Sequence, residues 1–269
     1  MLAWSLIAQL LLLGCVTGFL AGLLGIGGGM LLVPFIAIVL TMKEFPPLLV
    51  VKMAIATSLA TILFTSIASL RAHHARGAVR WDIVRPLAPG IVLGALAGAQ
   101  LATALPARAL SFAFAAFVVF SATQMLLDRK ADAARELPRS LGMFGAGGAI
   151  GGLSSLVGAG GAFVSVPFMV WCNVPLHHAV ATSAALGFPI ALAGTLGFIA
   201  AGWSVQGLPA GTLGYVYLPA WLVVSAASVL TAPLGARASH ALDVRHLRRL
   251  FALLLYGLAI YMLDKAWRS

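Results

Sequence analysis

The chain has 269 residues, of which 61% are hydrophobic and only 9% are charged. A soluble domain carries roughly 25% charged residues, so this composition excludes a water-soluble globular protein and indicates a polytopic membrane protein. The formal net charge of +10 comes from basic clusters between apolar runs, a pattern typical of cytoplasmic loops rather than of nucleic-acid binding.

The first half of the chain reads as membrane helices interrupted by one glycine-rich break. Apolar runs cover about residues 4–24, 29–41, 48–70, 86–105 and 109–127. A full span needs about 20 apolar residues, so the run at 29–41 is too short for a comfortable crossing. This run contains Pro34, which removes a backbone donor and predicts a kink. The break before it contains Gly25, Gly27, Gly28 and Gly29.

A charged linker at 128–140 separates this half from a second series of apolar runs. They cover about residues 141–157, 161–172, 177–201, 213–236 and 247–263. The run at 161–172 is again short. It contains Pro167 and follows a break formed by Gly158, Gly160 and Gly161.

The two halves share an ordered set of motifs. GLLGIGGGMLLVPF at 22–35 matches SLVGAGGAFVSVPF at 155–168, and Ala-Thr-Ser at 56–58 matches the same triplet at 181–183. Internal self-similarity of this kind indicates duplication. The sequence therefore predicts transmembrane repeats at 1–127 and 141–269.

Charge predicts how the repeats are oriented. Basic residues cluster in loops 71–85, 128–140 and 237–249, which we place in the cytoplasm. Loop 71–85 is basic whereas its partner 202–212 is neutral, so equivalent loops lie on opposite sides and the repeats are inverted. The stretch between Arg139 and Arg237 has no lysine or arginine and must cross an even number of times. A re-entrant hairpin plus two spans satisfies this condition, and so do four full crossings.

The predicted fold class is an all-α polytopic membrane protein with two divergent inverted repeats. Each repeat has a glycine-broken or re-entrant helix, giving about eight main helices plus short half-helices. Hydrocarbon cannot satisfy bare backbone groups, so such breaks survive only where they line a cavity or are buried in protein.

The glycine breaks are the leading candidates for a substrate site. Unpaired amides at a helix N-terminus attract anions, and glycine lets an oxyanion approach the backbone without a Cβ in the way. Close helix packing of the GxxxG kind is the competing interpretation. Matching breaks in two halves point to a transporter binding site.

Two Thr-Ser pairs are further candidates, and we place them at the beginning of the helices that follow the short arms. These are Thr57 with Ser58, and Thr182 with Ser183. Hydroxyls donate to sulfonate oxygens without adding a fixed charge. Bonding within or between helices is the alternative. Weaker candidates are Ser154, Ser155 and Ser165.

Lys52 and His177 lie five residues before the two threonines. A cation at the vestibule would attract an anion, and a histidine would titrate in step with a transported proton. A snorkelling lysine at the membrane interface is the alternative.

The doubled motif resembles the sulfite exporter TauE/SafE family of bacterial membrane permeases. The matching text is GFLAGLLGIGGGMLLVPF at 18–35, GGLSSLVGAGGAFVSVPF at 151–168, AxATS at 54–58 and 179–183, and LGALAGAQLATALP at 93–106. The resemblance implies a multi-pass protein of the bacterial inner membrane that moves sulfite or an organosulfonate. Ala162 stands where the first copy has Gly29.

The leading hypothesis is a secondary transporter of a small anion, with the lipid bilayer as its surroundings and no cofactor. A metal-ion or other small-solute permease is the alternative, because Cys15 and Cys172 lie near the breaks and soft metals favour thiolates. An intramembrane enzyme is disfavoured, since no carboxylate falls within an apolar run and no nucleophile motif is present. The sequence gives no reason to expect nucleic acid, and it leaves the cargo, proton coupling and oligomeric state open.

Overall fold

The computed structural model of the protein describes residues 4–24, 29–127, 136–238 and 244–268. Within these ranges the chain forms ten α-helices and one short β-hairpin. The helices are α1 (Trp4–Leu24), α2 (Gly29–Met42), α3 (Pro47–His74), α4 (Trp81–Ala104), α5 (Ala107–Leu127), α6 (Ser140–Val157), α7 (Ala162–Trp171), α8 (Leu176–Gly202), α9 (Leu218–Ala238) and α10 (Val244–Arg268). The hairpin pairs β1 (Thr212–Leu213) with β2 (Val216–Tyr217) between α8 and α9.

Helix length separates spanning helices from short arms. In the described residues seven helices, α3 to α6 and α8 to α10, are long and apolar enough to cross a membrane. The short arms α2 and α7 have 14 and 10 residues, or about 21 and 15 Å, against a hydrocarbon core of about 30 Å. With the long α1, this confirms an all-α polytopic membrane protein with eight main helices and two half-helices.

Matched local turns end the two short arms. Glu44 after α2 and Asn173 after α7 adopt left-handed backbone, with φ of 58° and 64°. The residue after each donates its amide five residues back, Phe45 to the Leu40 carbonyl at 3.2 Å and Val174 to the Met169 carbonyl at 3.0 Å. This is the Schellman pattern, which lets α3 and α8 start directly afterwards.

The third helices of the two repeats run in opposite directions. The amide of Tyr217, in the segment after α8, donates to Thr57 Oγ1 in the first half of α3 at 3.0 Å. The amide of Arg80, which follows α3, donates to Thr182 Oγ1 near the start of α8, also at 3.0 Å. The start of each helix therefore lies beside the end of the other, as inverted repeats require.

The first helix of each repeat packs on the fourth helix of the other through glycines. On α4, Cβ atoms added to Gly90, Gly94 and Gly98 would lie 2.0, 2.1 and 2.4 Å from backbone oxygens of α6. On α1, a Cβ at Gly18 would lie 2.5 Å from the Ser228 carbonyl of α9. Small residues let these backbones meet in lipid.

These contacts define two ends of the molecule. We name the arginine-rich end by residues 75–80 and 136–139, and the opposite end by residues 43–46 and 105–106. The helix ends that flank loops 71–85, 128–140 and 237–249 all lie at the arginine-rich end. For loop 237–249 this follows because α9 runs alongside α3, with Trp221 Nε1 donating to the Ala60 carbonyl at 2.9 Å. The repeat boundaries and the linker stay predictions, since residues 128–135 lie outside the described ranges.

The pairs α1–α2 and α6–α7 form two hairpins that enter from opposite ends, and the second glycine break is the tip of the α6–α7 hairpin. A Cβ on Gly147 of α6 would lie 2.3 Å from the Leu87 carbonyl near the start of α4, so α6 begins at the arginine-rich end, where α8 also begins. The pair α6–α7 therefore leaves by the end at which it entered. By the matching contacts of α1 with α9, the pair α1–α2 does the same from the opposite end. Of the two alternatives, this geometry favours re-entrant hairpins.

Candidate functional site

The tips of the two hairpins touch inside the helix bundle. The buried Ser58 hydroxyl of α3 lies 3.3 Å from the Gly29 carbonyl and 3.0 Å from the Gly158 carbonyl. A Cβ added to Gly29 would lie only 2.9 Å from the same Gly158 oxygen. One hydroxyl thus bridges breaks that are 129 positions apart in the numbering. Gly25, Gly27 and Gly28 lie outside the described residues.

The second break is an open turn between two helices. Gly158 and Gly161 have φ of 69° and 82°, a left-handed backbone that favours glycine. The Gly161 carbonyl accepts the amides of Val164 and Ser165 at 3.0 and 2.8 Å. The amides of residues 160–163 have no acceptor among the described residues. These residues lie at the N-terminal end of α7, which is the positive end of its dipole. The turn thus offers backbone donors to an anion.

Two buried hydroxyls lie at the end of α6 next to this turn, with the Ser155 oxygen facing α8, 2.9 Å from the position of a Cβ on Gly194. Ser154 and Ser155 in the last turn of α6 are 0% exposed, and their Oγ atoms have no partner in the described part of the chain. The Ser154 oxygen lies 3.2 Å from the position of a Cβ on Gly161. Buried polar groups are almost always hydrogen-bonded; Thr195 and Ser225 are also exceptions among the described residues, and Ser154 differs from them by its position beside Gly161.

Apolar side chains close the rest of the meeting point. A Cβ on Gly158 would lie 2.8 Å from Val33 Cγ2, and one on Gly161 would lie 2.4 Å from Ile190 Cδ1. Across the contact, a Cβ on Gly29 would lie 2.5 Å from Ile62 Cδ1. The glycines therefore permit direct contact, and the structure has the tips packed together.

The threonines of the Ala-Thr-Ser triplets bind backbone rather than the turns. Each accepts the amide just before the fourth helix of the other repeat, as given above for Thr57 and Thr182. The serines turn inwards: Ser58 bridges the tips, and Ser183 accepts a 2.7 Å bond from Ser165 on α7. The expectation that the pairs begin their helices is wrong, because α3 starts at Pro47 and α8 at Leu176.

Pro34 and Pro167 lie at the same position counted from the start of α2 and α7. Each is inside its short arm, so neither arm has a backbone donor at that point. The predicted kink role stays a prediction.

Lys52 and His177 lie at opposite ends of the molecule. Lys52 Nζ donates to the Thr103 carbonyl in the last turn of α4 at 2.6 Å. His177 is exposed at the arginine-rich end, with its ring 4.0 Å from that of His178, whose Nδ1 is 2.8 Å from the Ala78 carbonyl. The structure brings neither to the hairpin tips, and their roles at a vestibule stay predictions.

Ser154 and Ser155 are weaker candidates in the sequence than the residues of the glycine breaks, and their role in binding stays a prediction. Serine is common in membrane helices as a packing residue, and nothing in the sequence tells a satisfied hydroxyl from an unsatisfied one. Their position next to the second glycine break is the signal that was available.

Metal ligands do not converge in the described residues, which contain no group of three or more His, Cys, Asp or Glu side chains. Cys172 caps the far end of α7, about 15 Å along the helix from the turn.

Comparison with known proteins gives consistent matches. The model of the family described as sulfite exporter TauE/SafE matches residues 10–262. A probable membrane transporter protein of Haemophilus influenzae is 38% identical over 97% of this chain and 100% of its own length. Probable membrane transporter proteins of Methanocaldococcus jannaschii and Bacillus subtilis are 26% and 29% identical over 96% and 74% of this chain, and over 96% and 79% of their own lengths. No solved structure matches.

Proposed function

Because the chain belongs to the TauE/SafE sulfite exporter family and is a membrane transporter, we propose that it moves a small sulfur-containing anion, such as sulfite or an organosulfonate, by alternating access. It acts as a secondary transporter in the bacterial inner membrane. The substrate binds where the two hairpin tips meet.

One observation carries this proposal: unpaired donors gather at the second hairpin tip. The amides of residues 160–163 have no acceptor in the described part of the chain, the Ser154 oxygen lies 3.2 Å from the position of a Cβ on Gly161, and the Ser155 hydroxyl follows on the same turn of α6. Oxyanions accept several hydrogen bonds at once, and helix N-termini favour negative charge. No acidic side chain occurs on the helices that form the two hairpins, so nothing there repels an anion.

The packed tips suggest how access alternates. Hairpins that enter from opposite ends and meet at their tips divide the molecule into two halves, and a transporter opens to one side at a time by moving one repeat against the other. Expelling an anion from a negative interior is favoured by about 2.3 kcal/mol per charge per 100 mV. Export therefore needs no coupling ion.

Serine substitution at the tip tests this site. We expect the double variant Ser154→Ala/Ser155→Ala to lose about tenfold or more in transport of labelled sulfite or methanesulfonate into proteoliposomes, since each lost charge-assisted hydrogen bond weakens substrate binding. The double variant should unfold at an unchanged or higher temperature, because hydroxyls without partners destabilise a buried site.

The matched control is Ser225→Ala on α9. Ser225 is also a buried hydroxyl without a partner in the described residues, but it lies on the helix that packs against α1, away from the turn 158–161. We expect its transport rate to stay within about twofold of the unmodified protein. Full transport in the α6 double variant, or an equal loss in the Ser225 control, would contradict the proposed site.

A further inference from the structure

The groups that line the second hairpin tip carry no formal charge. Its donors are backbone amides of residues 160–163 and the Ser154 and Ser155 hydroxyls. The first hairpin has Ala21 and Gly22 at the positions that match these serines, and Val33, Ile62 and Ile190 close the contact. The site is therefore polar on one side, apolar on the other, and neutral throughout.

Ionisable side chains on the packed helices are few. The six helices that form the hairpins and their flanks, α1 to α3 and α6 to α8, contain only Cys15, Lys52, Arg71, His73, His74, His177 and His178 as ionisable residues. Residues 25–28 lie outside the described ranges; in the sequence they read Gly-Ile-Gly-Gly, with no ionisable residue.

None of these side chains is placed at the second tip. Lys52 precedes Ser58 by about 9 Å along α3 and is bound to the Thr103 carbonyl at the opposite end. His177 and His178 precede Gly187, whose added Cβ would lie 3.5 Å from the Gly160 carbonyl, by about 14–15 Å along α8. Arg71, His73 and His74 occupy the last turn of α3 at the arginine-rich end, and Cys15 lies inside α1, about 14 Å from the end of that helix.

The connecting segments carry further ionisable side chains, among them Arg76 after α3 and Glu136 before α6. Lys43 and Glu44 follow α2, Cys172 follows α7, Arg139 precedes α6, and Arg80 and Asp82 pair with each other at 2.6 Å beside the start of α4. Tyr217 of β2 is buried next to Thr57, and burial raises the pKa of its phenol, so it stays neutral at physiological pH.

A neutral site discriminates between singly and doubly charged solutes. The cost of removing an ion from water grows with the square of its charge, so a dianion costs about four times as much as a monoanion of the same size. The attraction to fixed dipoles grows only in proportion to charge, or about twofold. Without a cation at the tip, dipoles that offset one charge leave the second largely uncompensated.

We infer that the transported species is a monoanion, so that sulfite crosses as hydrogensulfite and doubly charged oxyanions are excluded. This deepens the proposed function and rests on it. The site selects solutes by their charge. The pH dependence of sulfite transport therefore follows the titration of sulfite and not that of a protein side chain.

Sulfite is a natural probe because it loses its second proton near neutral pH. Above that point the hydrogensulfite fraction falls about tenfold for each pH unit. Methanesulfonate keeps one negative charge throughout this range and has a small apolar group suited to the apolar side of the site. Comparing the two solutes separates titration of the cargo from titration of the protein.

The experiment measures initial rates for both solutes with the full chain in proteoliposomes. The pH is equal inside and outside, from about 6 to about 9, and the membrane potential is clamped at zero. We expect the sulfite rate, at low fixed total concentration, to fall about tenfold per pH unit above its second ionisation, while the methanesulfonate rate changes by less than about twofold. Sulfate, a dianion at every pH used, should neither move nor compete.

Two variants test whether the midpoint of the sulfite pH profile belongs to the solute or to the protein. Lys52→Gln and His177→Gln remove the ionisable groups that the sequence offers as candidates for a vestibule. We expect the midpoint of the sulfite profile to stay where it is in both, whatever their absolute rates.

Other outcomes overturn the inference in distinguishable ways. A sulfite rate that is flat or rises with pH, with methanesulfonate also transported, would show that the dianion is carried as well and leave the proposed function standing. A parallel fall for both solutes, or a midpoint that moves in either variant, would assign the titration to the protein. If neither solute is transported at any pH, the proposed function itself fails.

Discussion

Gly161 is the residue at which the second hairpin tip becomes a helix start. Its φ of 82° is strained for any residue with a Cβ, and an added Cβ would meet Ile190 Cδ1 at 2.4 Å. We expect Gly161→Ala to lower the free energy of unfolding by about 3 kcal/mol, from backbone strain and overpacking together. Thermal unfolding in detergent and proteoliposome transport would both register the loss.

Gly145 provides the control for this substitution. It lies on α6, and an added Cβ would have no heavy atom within 4 Å. Gly145→Ala should leave transport unchanged and unfolding unchanged or slightly improved, since alanine favours helix over glycine. Equal stability of the two variants would mean that the left-handed turn at Gly161 is not required.

Glycine spacing predicts the turn, but it does not predict which donors are unsatisfied. Gly158 and Gly161 stand out in the sequence because few other residues adopt a left-handed backbone. Ser154 and Ser155 look like ordinary packing residues there, and their lack of partners depends on how α6 lies against α3 and α8. That arrangement is set by contacts between residues far apart in the chain, such as Ser58 with Gly158.

At the scale of elements, two threonines tie each repeat to the fourth helix of the other. Thr57 Oγ1 accepts the Tyr217 amide before α9, and Thr182 Oγ1 accepts the Arg80 amide before α4. Thr57→Val or Thr182→Val leaves that amide without an acceptor at a helix start. We expect each change to cost about 1–2 kcal/mol of stability, as loss of a helix cap does.

Thr61→Val is the matched control. Thr61 is buried on the same helix, but its hydroxyl donates only to the Thr57 carbonyl one turn back, a bond that adds little to helix stability. Its unfolding temperature should fall less than that of Thr57→Val, and Thr57→Ser, which keeps the oxygen, should restore most of the loss. Equal effects at both positions would show that side-chain shape rather than the inter-repeat bond matters.

Helix starts were the least predictable feature of these elements. The Thr-Ser pairs were expected to begin their helices, whereas α3 starts ten residues before Thr57 in the numbering. Prolines at 46, 47 and 175 set the actual starts, since proline is pre-organised for the first helical turn. The short arms α2 and α7 were predictable because a glycine break precedes each arm and prolines follow it closely, at 46 and 47 after α2 and at 175 after α7.

At the scale of the whole molecule, charge anticipated the architecture better than hydropathy did. The basic loops required an even number of crossings between Arg139 and Arg237, which left a hairpin or two full spans. Contacts of α6 with the start of α4 favour the hairpin. The meeting of the two tips was expected from duplication alone, but its bridge through Ser58 needed the three-dimensional packing.

The charge difference between the ends predicts how the molecule sits in the membrane. Arg71, Arg76, Arg85 and Arg139 lie on helix ends and segments of the arginine-rich end, which the positive-inside rule places in the cytoplasm. We expect a membrane-impermeant maleimide added to whole cells to label Ser204→Cys, at the exposed opposite end after α8, and to reach Ala75→Cys only after permeabilisation. Both positions are exposed, so a difference between them reflects the bilayer rather than burial in protein.

The unmodified protein, with Cys15 partly buried and Cys172 buried, sets the background. Labelling of Ala75→Cys in intact cells, with Ser204→Cys protected, would reverse the orientation. Because the two repeats are inverted, reversal would exchange which hairpin enters from the cytoplasmic side, so this measurement also assigns the serine-bearing α6–α7 hairpin to one side of the membrane.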